Sequence, residues 1–207
     1  MFVLGLTGSI GMGKSTVAAM LAGCGARIHD ADHCVHRLYG PGGAAVGPVG
    51  SAFPGVVTGE GRGARIDRQR LGGRVLGDAG ALARLESLVH PLVRRDQARF
   101  LRRAARNGCR LVVFDVPLLF ETGGESLVDA TCVVHAPPFI QAARVLRRPG
   151  MTRAILEDIR RHQMPDRDKL RRADHVVMTG LAKGHTRARV HSLWRRLSVR
   201  QGRIWPP

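Results

Sequence analysis

One stretch near the N-terminus decides the fold: Gly8-Ser9-Ile10-Gly11-Met12-Gly13-Lys14-Ser15, which Thr16 extends. It fits the pattern G-x-x-x-x-G-K-[ST] without a mismatch, and this pattern is typical of loops that bind the phosphates of nucleotides. The apolar run Phe2–Leu6 precedes it and predicts a buried parallel strand. From Lys14 onward the spacing of apolar residues predicts a helix that ends near Gly23. A strand, a glycine-rich turn and a helix in this order are the context that a P-loop requires.

Each part of the loop has a physical task. Glycines let successive backbone N–H groups turn inward and form a nest for anions. The following helix points the positive end of its dipole at the phosphates. We therefore expect every residue from Gly8 to Thr16 to line an ATP site, with Lys14 bridging the β- and γ-phosphates and the Ser15 hydroxyl binding Mg²⁺. The motif carries no information about the group that accepts the phosphate.

Strand patterns recur along the rest of the chain. Short apolar runs predict four more strands: Ala26–Asp30, Leu111–Asp115, Thr131–His135 and His175–Met178. Helical patterns lie between these runs, and strands that alternate with helices imply a parallel sheet covered on both faces. The sequence thus predicts an α/β fold, a P-loop NTPase three-layer sandwich around a five-stranded parallel sheet.

Three segments are predicted to be mainly loop or helix. The glycine-rich stretch 40–63 predicts loops and short helical turns, because prolines interrupt it. Residues 68–106 predict helix, with breaks at Gly72-Gly73 and around His90-Pro91. Thr186–Leu197 predicts a closing basic helix.

Composition limits the class of protein. The 207 residues suffice for one α/β core with a small inserted lobe. The sequence has no run of about 18 apolar residues, so it predicts no membrane span. The first residues carry no basic leader, so they do not predict a signal peptide. The four cysteines are scattered, which is typical of reduced thiols. We therefore expect a cytoplasmic protein.

The charge balance is unusual. Lys and Arg number 33 against 16 Asp and Glu, which gives a net charge of +17. Such a field attracts polyanions, whether nucleic acid, an anionic membrane surface or phosphorylated metabolites. A GC-rich coding bias toward arginine and glycine would produce the same numbers, so a solvated arginine surface is an equal alternative.

Six stretches together resemble the dephospho-coenzyme A kinase family, nearly from end to end. They are Leu6–Thr16; Asp30-Ala31-Asp32; Ile66-Asp67-Arg68 with Leu71; Val89-His90-Pro91; Asp115-Val116-Pro117-Leu118-Leu119-Phe120-Glu121; and the basic run from Gln141 to Gln163. Each is weak alone, and their order behind a P-loop makes the combination specific. The resemblance implies ATP-dependent phosphorylation of the ribose 3′-hydroxyl of dephospho-CoA, the last step of CoA synthesis.

The resemblance also implies three parts within a single domain of residues 1–207. The nucleotide core would comprise about 1–35, 108–136 and 172–200, a helical substrate lobe about 36–107, and a mobile lid about 137–171. It implies ATP and dephospho-CoA as the small-molecule partners and Mg²⁺ as the metal. Neither nucleic acid nor a membrane is expected as a partner, and the oligomeric state stays open.

The resemblance places the catalytic carboxylate at Asp32. This residue follows the predicted second strand, and open α/β sheets bind their ligands at the carboxyl ends of strands. In a loose phosphoryl-transfer transition state, orienting the acceptor hydroxyl matters more than base strength. Asp30 and Asp32 also fit a pair of N-caps for the next helix, and we assign that role to Asp30.

The resemblance further implies a lid arginine at Arg144 that meets the ATP phosphates. Arg144 and Arg148 are four residues apart and should share a helix face, with Arg147 beside them. The segment is crowded with arginines, and most of the others are expected to be solvated: Arg153, Arg160 and Arg161.

Four more residues are site candidates. Asp115 ends an apolar strand in the manner of a Walker B acid and is predicted to lie near the metal; an acid that caps the turn at Pro117 is the less favoured alternative. Within the resemblance, His90, Pro117 and Glu121 would contact the acceptor substrate. For His90 an alternative is a structural role ahead of the turn at Pro91.

Two alternatives and one departure remain. The same core suits another small-molecule or nucleoside kinase. The charge suits a nucleic-acid-binding NTPase, although a chain with 4% aromatic residues offers few side chains on which bases could stack.

Members of the family commonly have an Asn-Gly turn after the fifth strand, near the adenine. Here the residues are Met178-Thr179-Gly180, so any adenine contact there would come from backbone groups or Thr179.

Overall fold

A computed structural model describes residues 1–206 of the chain. They form two compact units, one built from Met1–His29 and from Arg103 to the C-terminus, the other from Asp30–Arg102. The strands are β1 (Phe2–Thr7), β2 (Arg27–Asp30), β3 (Val57–Thr58), β4 (Arg65–Ile66), β5 (Leu111–Asp115), β6 (Ala130–His135) and β7 (His175–Met178). The helices are α1 (Lys14–Gly23), α2 (Ala31–Tyr39), α3 (Val46–Ala52), α4 (Arg68–Val75), α5 (Ala79–Arg106), α6 (Pro138–Leu146), α7 (Arg153–His162), α8 (Asp166–Arg172) and α9 (Lys183–Leu197).

The first unit contains the predicted five-stranded parallel sheet, in the order β2-β5-β1-β6-β7. Strand β1 is central and buried along its whole length, as a strand with helices on both faces must be. It pairs in parallel with β5 on one side and β6 on the other, so that Leu6 lies opposite Asp115 and Thr7 opposite Val133. This register brings the carboxyl ends of three strands to one edge of the sheet.

Apolar side chains join this sheet to its helices. Val17 and Leu21 of α1 and Leu193 of α9 are at most 2% exposed and belong to one core cluster with Leu4 and Leu6 of β1. Full burial of each such side chain contributes about 1.5–3 kcal/mol. The core therefore fixes α1, and with it the loop that precedes α1, against the central strand.

The second unit has a core of its own. Val49 of α3, Val56, Ile66 of β4, Leu71 of α4 and Val89 of α5 are buried together. Strands β3 and β4 form a two-stranded antiparallel sheet that the sequence patterns did not predict. Strands of two residues are too short to show a period of two, which explains why pattern analysis found only loops and turns there.

Two predicted helix breaks are wrong. Gly72-Gly73 lie inside α4, and His90-Pro91 lie inside the 28-residue helix α5. Helix α4 is capped by the Asp67 carboxylate, which accepts hydrogen bonds from two N–H groups, and Leu71 is buried. Val89 is buried in the same core, and burial of this kind outweighs the helix propensity lost, which is roughly 1 kcal/mol for a glycine or 3 kcal/mol for a proline.

Among residues 1–206 no helix is both long and apolar enough to cross a membrane.

Candidate functional site

The phosphate-binding loop follows β1 at the edge where the strands end. Gly11 has φ 77° and Gly13 has φ 89°, which is backbone that side chains with a Cβ rarely adopt. A Cβ on Gly11 would also lie 2.5 Å from Cγ2 of Val145. The two glycines are thus required both by the turn and by the close approach of α6.

A lysine and a carboxylate face each other beside this loop. Lys14 begins α1, and its Nζ contacts Oδ1 of Asp115, which ends β5. Asp115 is 5% exposed, whereas Ser15 and Thr16 in the first turn of α1 are exposed. The β1–β5 register places Asp115 here, so sheet topology brings together two residues that are about 100 positions apart in sequence.

Arg144 of α6 is held at the second half of the loop. Its Nη1 donates to Oγ1 of Thr179 at 3.0 Å, and its Nη2 to the carbonyl of Thr179 at 2.6 Å. The Thr179 hydroxyl in turn donates to the carbonyl of Met12 at 2.6 Å. Arg144 Nη1 also lies 3.4 Å from the carbonyl of Gly11. One threonine therefore links the guanidinium to the backbone of the phosphate-binding loop.

A second link reaches the first half of the loop. Gln141, also on α6, donates from Nε2 to the carbonyl of Ile10 at 2.8 Å. Its Oε1 accepts from Nε and Nη2 of Arg160, on α7, at 3.2 and 2.5 Å. The side chain of Gln141 is 2% exposed. A buried amide thus connects α7 to the loop.

The turn between α7 and α8 also contacts the loop. Ser9 donates from Oγ to Oδ1 of Asp166 at 2.5 Å, and the Ile10 N–H donates to Oε1 of Gln163 at 3.3 Å. A cavity of about 310 Å³ lies at this contact, lined by Ser9, Gln141, Arg160, Gln163 and Asp166 among others. Its walls carry several hydrogen-bonding groups, as the walls of a site for a polar ligand do.

Comparison with known proteins identifies the family. The family model described as dephospho-CoA kinase matches residues 2–182. A dephospho-CoA kinase of Paramagnetospirillum magneticum is 58% identical over 169 residues, which cover 82% of this chain and 78% of that protein. One of Mesorhizobium japonicum is 50% identical over 202 residues, covering 98% and 100% of the two chains. The chain belongs to the dephospho-CoA kinase family.

A solved structure shares the fold of this chain. The crystal structure of TT1252 from Thermus thermophilus superposes with a TM-score of 0.80 at 33% identity, over 97% of this chain and 98% of that one. The family and the fold inferred from the sequence are therefore confirmed. The roles assigned to individual residues of this chain stay predictions.

Asp32 and His90 belong to the second unit. Asp32 lies in the first turn of α2 and is exposed. Asp30 caps that helix, accepting from the N–H of His33 at 2.9 Å, as the sequence predicted. His90 is an exposed residue within α5, so the turn that was its structural alternative does not exist.

Pro117 and Glu121 belong to the first unit and have structural partners. The carbonyl of Pro117 accepts from Oγ1 of Thr7 at 2.9 Å, at the end of β1. Glu121 Oε1 accepts from the N–H of Met164 at 2.8 Å and lies 2.9 Å from Nζ of Lys169, which is fully buried. Burial alone would raise the pKa of Glu121, and the two partners outweigh it and hold the pKa below its ordinary value. Glu121 therefore stays charged and ties α8 to the chain that follows β5.

The predicted pairing of Arg144 with Arg148 on one helix face is wrong. Helix α6 ends at Leu146 with Arg147 as its C-cap, and Arg148 lies beyond the helix, exposed. Pro149 follows, and a residue before proline is pushed out of helical backbone. The sequence assigned Gln141 and Arg160 no role at the site, and it offered Thr179 only as a candidate adenine contact. Gln141 carried a usable signal, because a polar residue four positions before the buried Val145 lies on the buried face of the helix.

Proposed function

We propose that this chain transfers the γ-phosphoryl group of ATP to the ribose 3′-hydroxyl of dephospho-CoA, giving CoA in the last step of CoA synthesis. One observation carries the proposal. The loop Gly8–Thr16, with Lys14 on Asp115, lies at the carboxyl edge of the sheet in a chain that resembles dephospho-CoA kinases along almost its entire length. The alternative of a different acceptor has no comparable support in residues 1–206.

The chain's own groups divide the work of phosphoryl transfer. The backbone N–H groups of the loop bind the β-phosphate, and Lys14 neutralises charge on the β- and γ-phosphates. The guanidinium of Arg144 faces the transferring group, where a positioned arginine contributes on the order of 10³-fold or more in rate. Asp32 orients the acceptor hydroxyl and takes its proton, which leaves late in a loose transition state.

Ser15 and Asp115 would hold Mg²⁺. Their hydroxyl and carboxylate oxygens are hard donors of the kind that Mg²⁺ prefers. Ser15 is the second residue of α1, and Asp115 is the last residue of β5. When bound, Mg²⁺ would offset the negative charge of the reacting phosphates. Because Asp115 contacts Lys14, the same carboxylate also orients the lysine.

Acceptor assays test the proposal. Purified protein with ATP and Mg²⁺ should form ADP only when dephospho-CoA is added, and the product should co-migrate with CoA on chromatography. Adenosine and shikimate serve as matched acceptors for the other kinases that share this core. Phosphorylation of either of these, with none of dephospho-CoA, would show that the proposed acceptor is wrong. The cytoplasmic location and the exclusion of nucleic acid as a partner stay predictions.

A further inference from the structure

Gln141 is a buried polar side chain, and both its amide nitrogen and its amide oxygen form hydrogen bonds. Burying an amide costs about 1–3 kcal/mol of folding free energy unless hydrogen bonds within the protein replace those to water. Its Nε2 donates to the Ile10 carbonyl, and its Oε1 accepts from two nitrogens of Arg160. Turning the amide over would set donor against donor and acceptor against acceptor. Both partners therefore require an amide, in this orientation.

Arg160 differs from the arginine next to it. The side chain of Arg161 is 72% exposed and pairs with Asp158 on the same helix, at 3.0 Å. Arg160 instead directs its Nε and Nη2 at Gln141 and lines the cavity of about 310 Å³ beside Ser9. A guanidinium has five N–H donors, so donors are left for an anion in that cavity. Arg160 is exposed like Arg161, but two of its nitrogens donate to Gln141 rather than to a residue of its own helix.

The two arginines lie at successive carbonyls of the loop. Arg144 reaches the carbonyl of Gly11 directly, at 3.4 Å, and Arg160 reaches that of Ile10 through Gln141. The glycine-rich loop between them is the proposed phosphate site, and its Ile10 N–H donates to Oε1 of Gln163. Two guanidinium groups that flank one anion nest add positive charge where the negative charge of the phosphates is concentrated.

We propose that Gln141 is a positioning residue that holds Arg160 against the phosphate-binding loop, so that Arg160 supplies a second guanidinium to the phosphates of ATP. The inference rests on the proposed function, because it concerns the ATP side of the same site. Gln141 acts only through Arg160 and does not itself contact the nucleotide. Helix α7 thereby contributes to catalysis through one side chain, which α6 keeps in place.

Substitutions at position 141 separate the role of the amide donor from that of the amide acceptor. Gln141→Leu removes both hydrogen bonds at nearly constant volume. Gln141→Glu keeps an acceptor for Arg160 but cannot donate to the Ile10 carbonyl. Arg160→Ala removes the guanidinium itself, and Arg161→Ala is the matched control, because Arg161 lies on the same helix with no link to the loop.

A double-mutant cycle tests the coupling. We expect Arg160→Ala and Gln141→Leu each to lower kcat/KM for ATP by about tenfold or more, and the double variant to be within about twofold of Arg160→Ala. Gln141→Glu should lie between Gln141→Leu and the unmodified protein. Arg161→Ala should stay within about twofold of the unmodified protein.

Other outcomes overturn the inference. Losses that multiply in the double variant, or an Arg160→Ala protein as active as Arg161→Ala, show that Gln141 does not act through Arg160. Should Gln141→Leu fail to fold, the same cycle is run with Gln141→Met, which also removes both hydrogen bonds, and the absence of coupling there has the same meaning.

The inference and the proposed function can fail separately. The dissociation constant of a non-hydrolysable ATP analogue, measured by calorimetry, needs no acceptor, and it should rise several-fold in Arg160→Ala and in Gln141→Leu. An unchanged dissociation constant together with unchanged turnover overturns the role of Arg160. A protein that shows the binding change but phosphorylates no dephospho-CoA would instead contradict the proposed function alone.

Discussion

The hydroxyl of Thr179 forms hydrogen bonds both to the Arg144 guanidinium and to the backbone of the phosphate-binding loop. It accepts from Arg144 and donates to the Met12 carbonyl, and the Thr179 carbonyl accepts from Arg144 as well. The hydroxyl lies where the loop, α6 and the residue after β7 come together.

Thr179→Val should weaken the link between Arg144 and the loop at nearly constant volume, because it removes the hydroxyl but keeps the carbonyl contacts of Arg144. Hydrogen bonds to charged groups contribute about 1.5–3 kcal/mol, so we expect kcat/KM for ATP to fall about 10- to 100-fold. Thr179→Ser keeps the hydroxyl and should retain most of the activity. Steady-state kinetics at varied ATP decides the matter, and equal losses in the two variants would contradict a role for the hydroxyl.

Lys14→Ala and Asp32→Asn test the two groups proposed closest to the chemistry. Each should lower kcat by at least about 10²-fold while the far-ultraviolet circular dichroism stays unchanged, because each removes charge or orientation used in the transition state. Lys14→Ala should also weaken the binding of the ATP analogue, whereas Asp32→Asn should not. Near-normal turnover in Asp32→Asn would remove that residue from catalysis.

At the scale of elements, α8 is attached by a buried ion pair. Lys169 is fully buried on Glu121, which also accepts the Met164 N–H just before α8. Lys169→Ala leaves the Glu121 charge buried without its partner, so we expect a loss of about 3–5 kcal/mol in the free energy of unfolding, measured by urea titration. The double variant Glu121→Gln with Lys169→Met should recover much of that loss. A loss in the double variant as large as in Lys169→Ala would argue against a charge effect.

The whole molecule should lose stability as the pH falls. Burial alone would raise the pKa of Glu121 and Asp174, but Lys169 and Thr131, respectively, outweigh it and hold both values below the ordinary 4.5 and 3.8. The folded state therefore binds fewer protons than the unfolded state, and this stabilisation is lost as the pH falls through those folded values. Burial and Arg196 lower the pKa of His175 below 6.5, which acts in the same direction from that pH downward.

Thermal unfolding between pH 7 and pH 3 measures this effect. We expect Tm to fall modestly below about pH 6.5 and steeply below about pH 4.5. Asp174→Asn removes one of the acids and should flatten the acid limb, and the surface variant Arg161→Ala should leave the profile unchanged. A Tm that rises on acidification would contradict the assigned directions.

Sequence predicted much of this fold, and the errors have identifiable causes. The P-loop and all five strands of the parallel sheet were found because their signals are local: glycine spacing and continuous apolar runs. The breaks predicted in α4 and α5 were wrong because local propensity was outweighed by burial of Leu71 and Val89. The helix face predicted for Arg148 is wrong because Pro149 follows it, and a residue before proline is pushed out of helical backbone.

Sequence alone predicted the phosphate-binding loop, because Gly8–Thr16 is contiguous and the prediction rests on its own glycine spacing. Only the tertiary structure decided which distant side chains serve that loop. Asp115 reaches Lys14 through the register of β1 and β5, and Arg144 and Gln141 reach the loop because α6 approaches Gly11 closely enough to exclude a Cβ. Such contacts depend on how elements pack, and packing depends on the whole core rather than on any short stretch of residues.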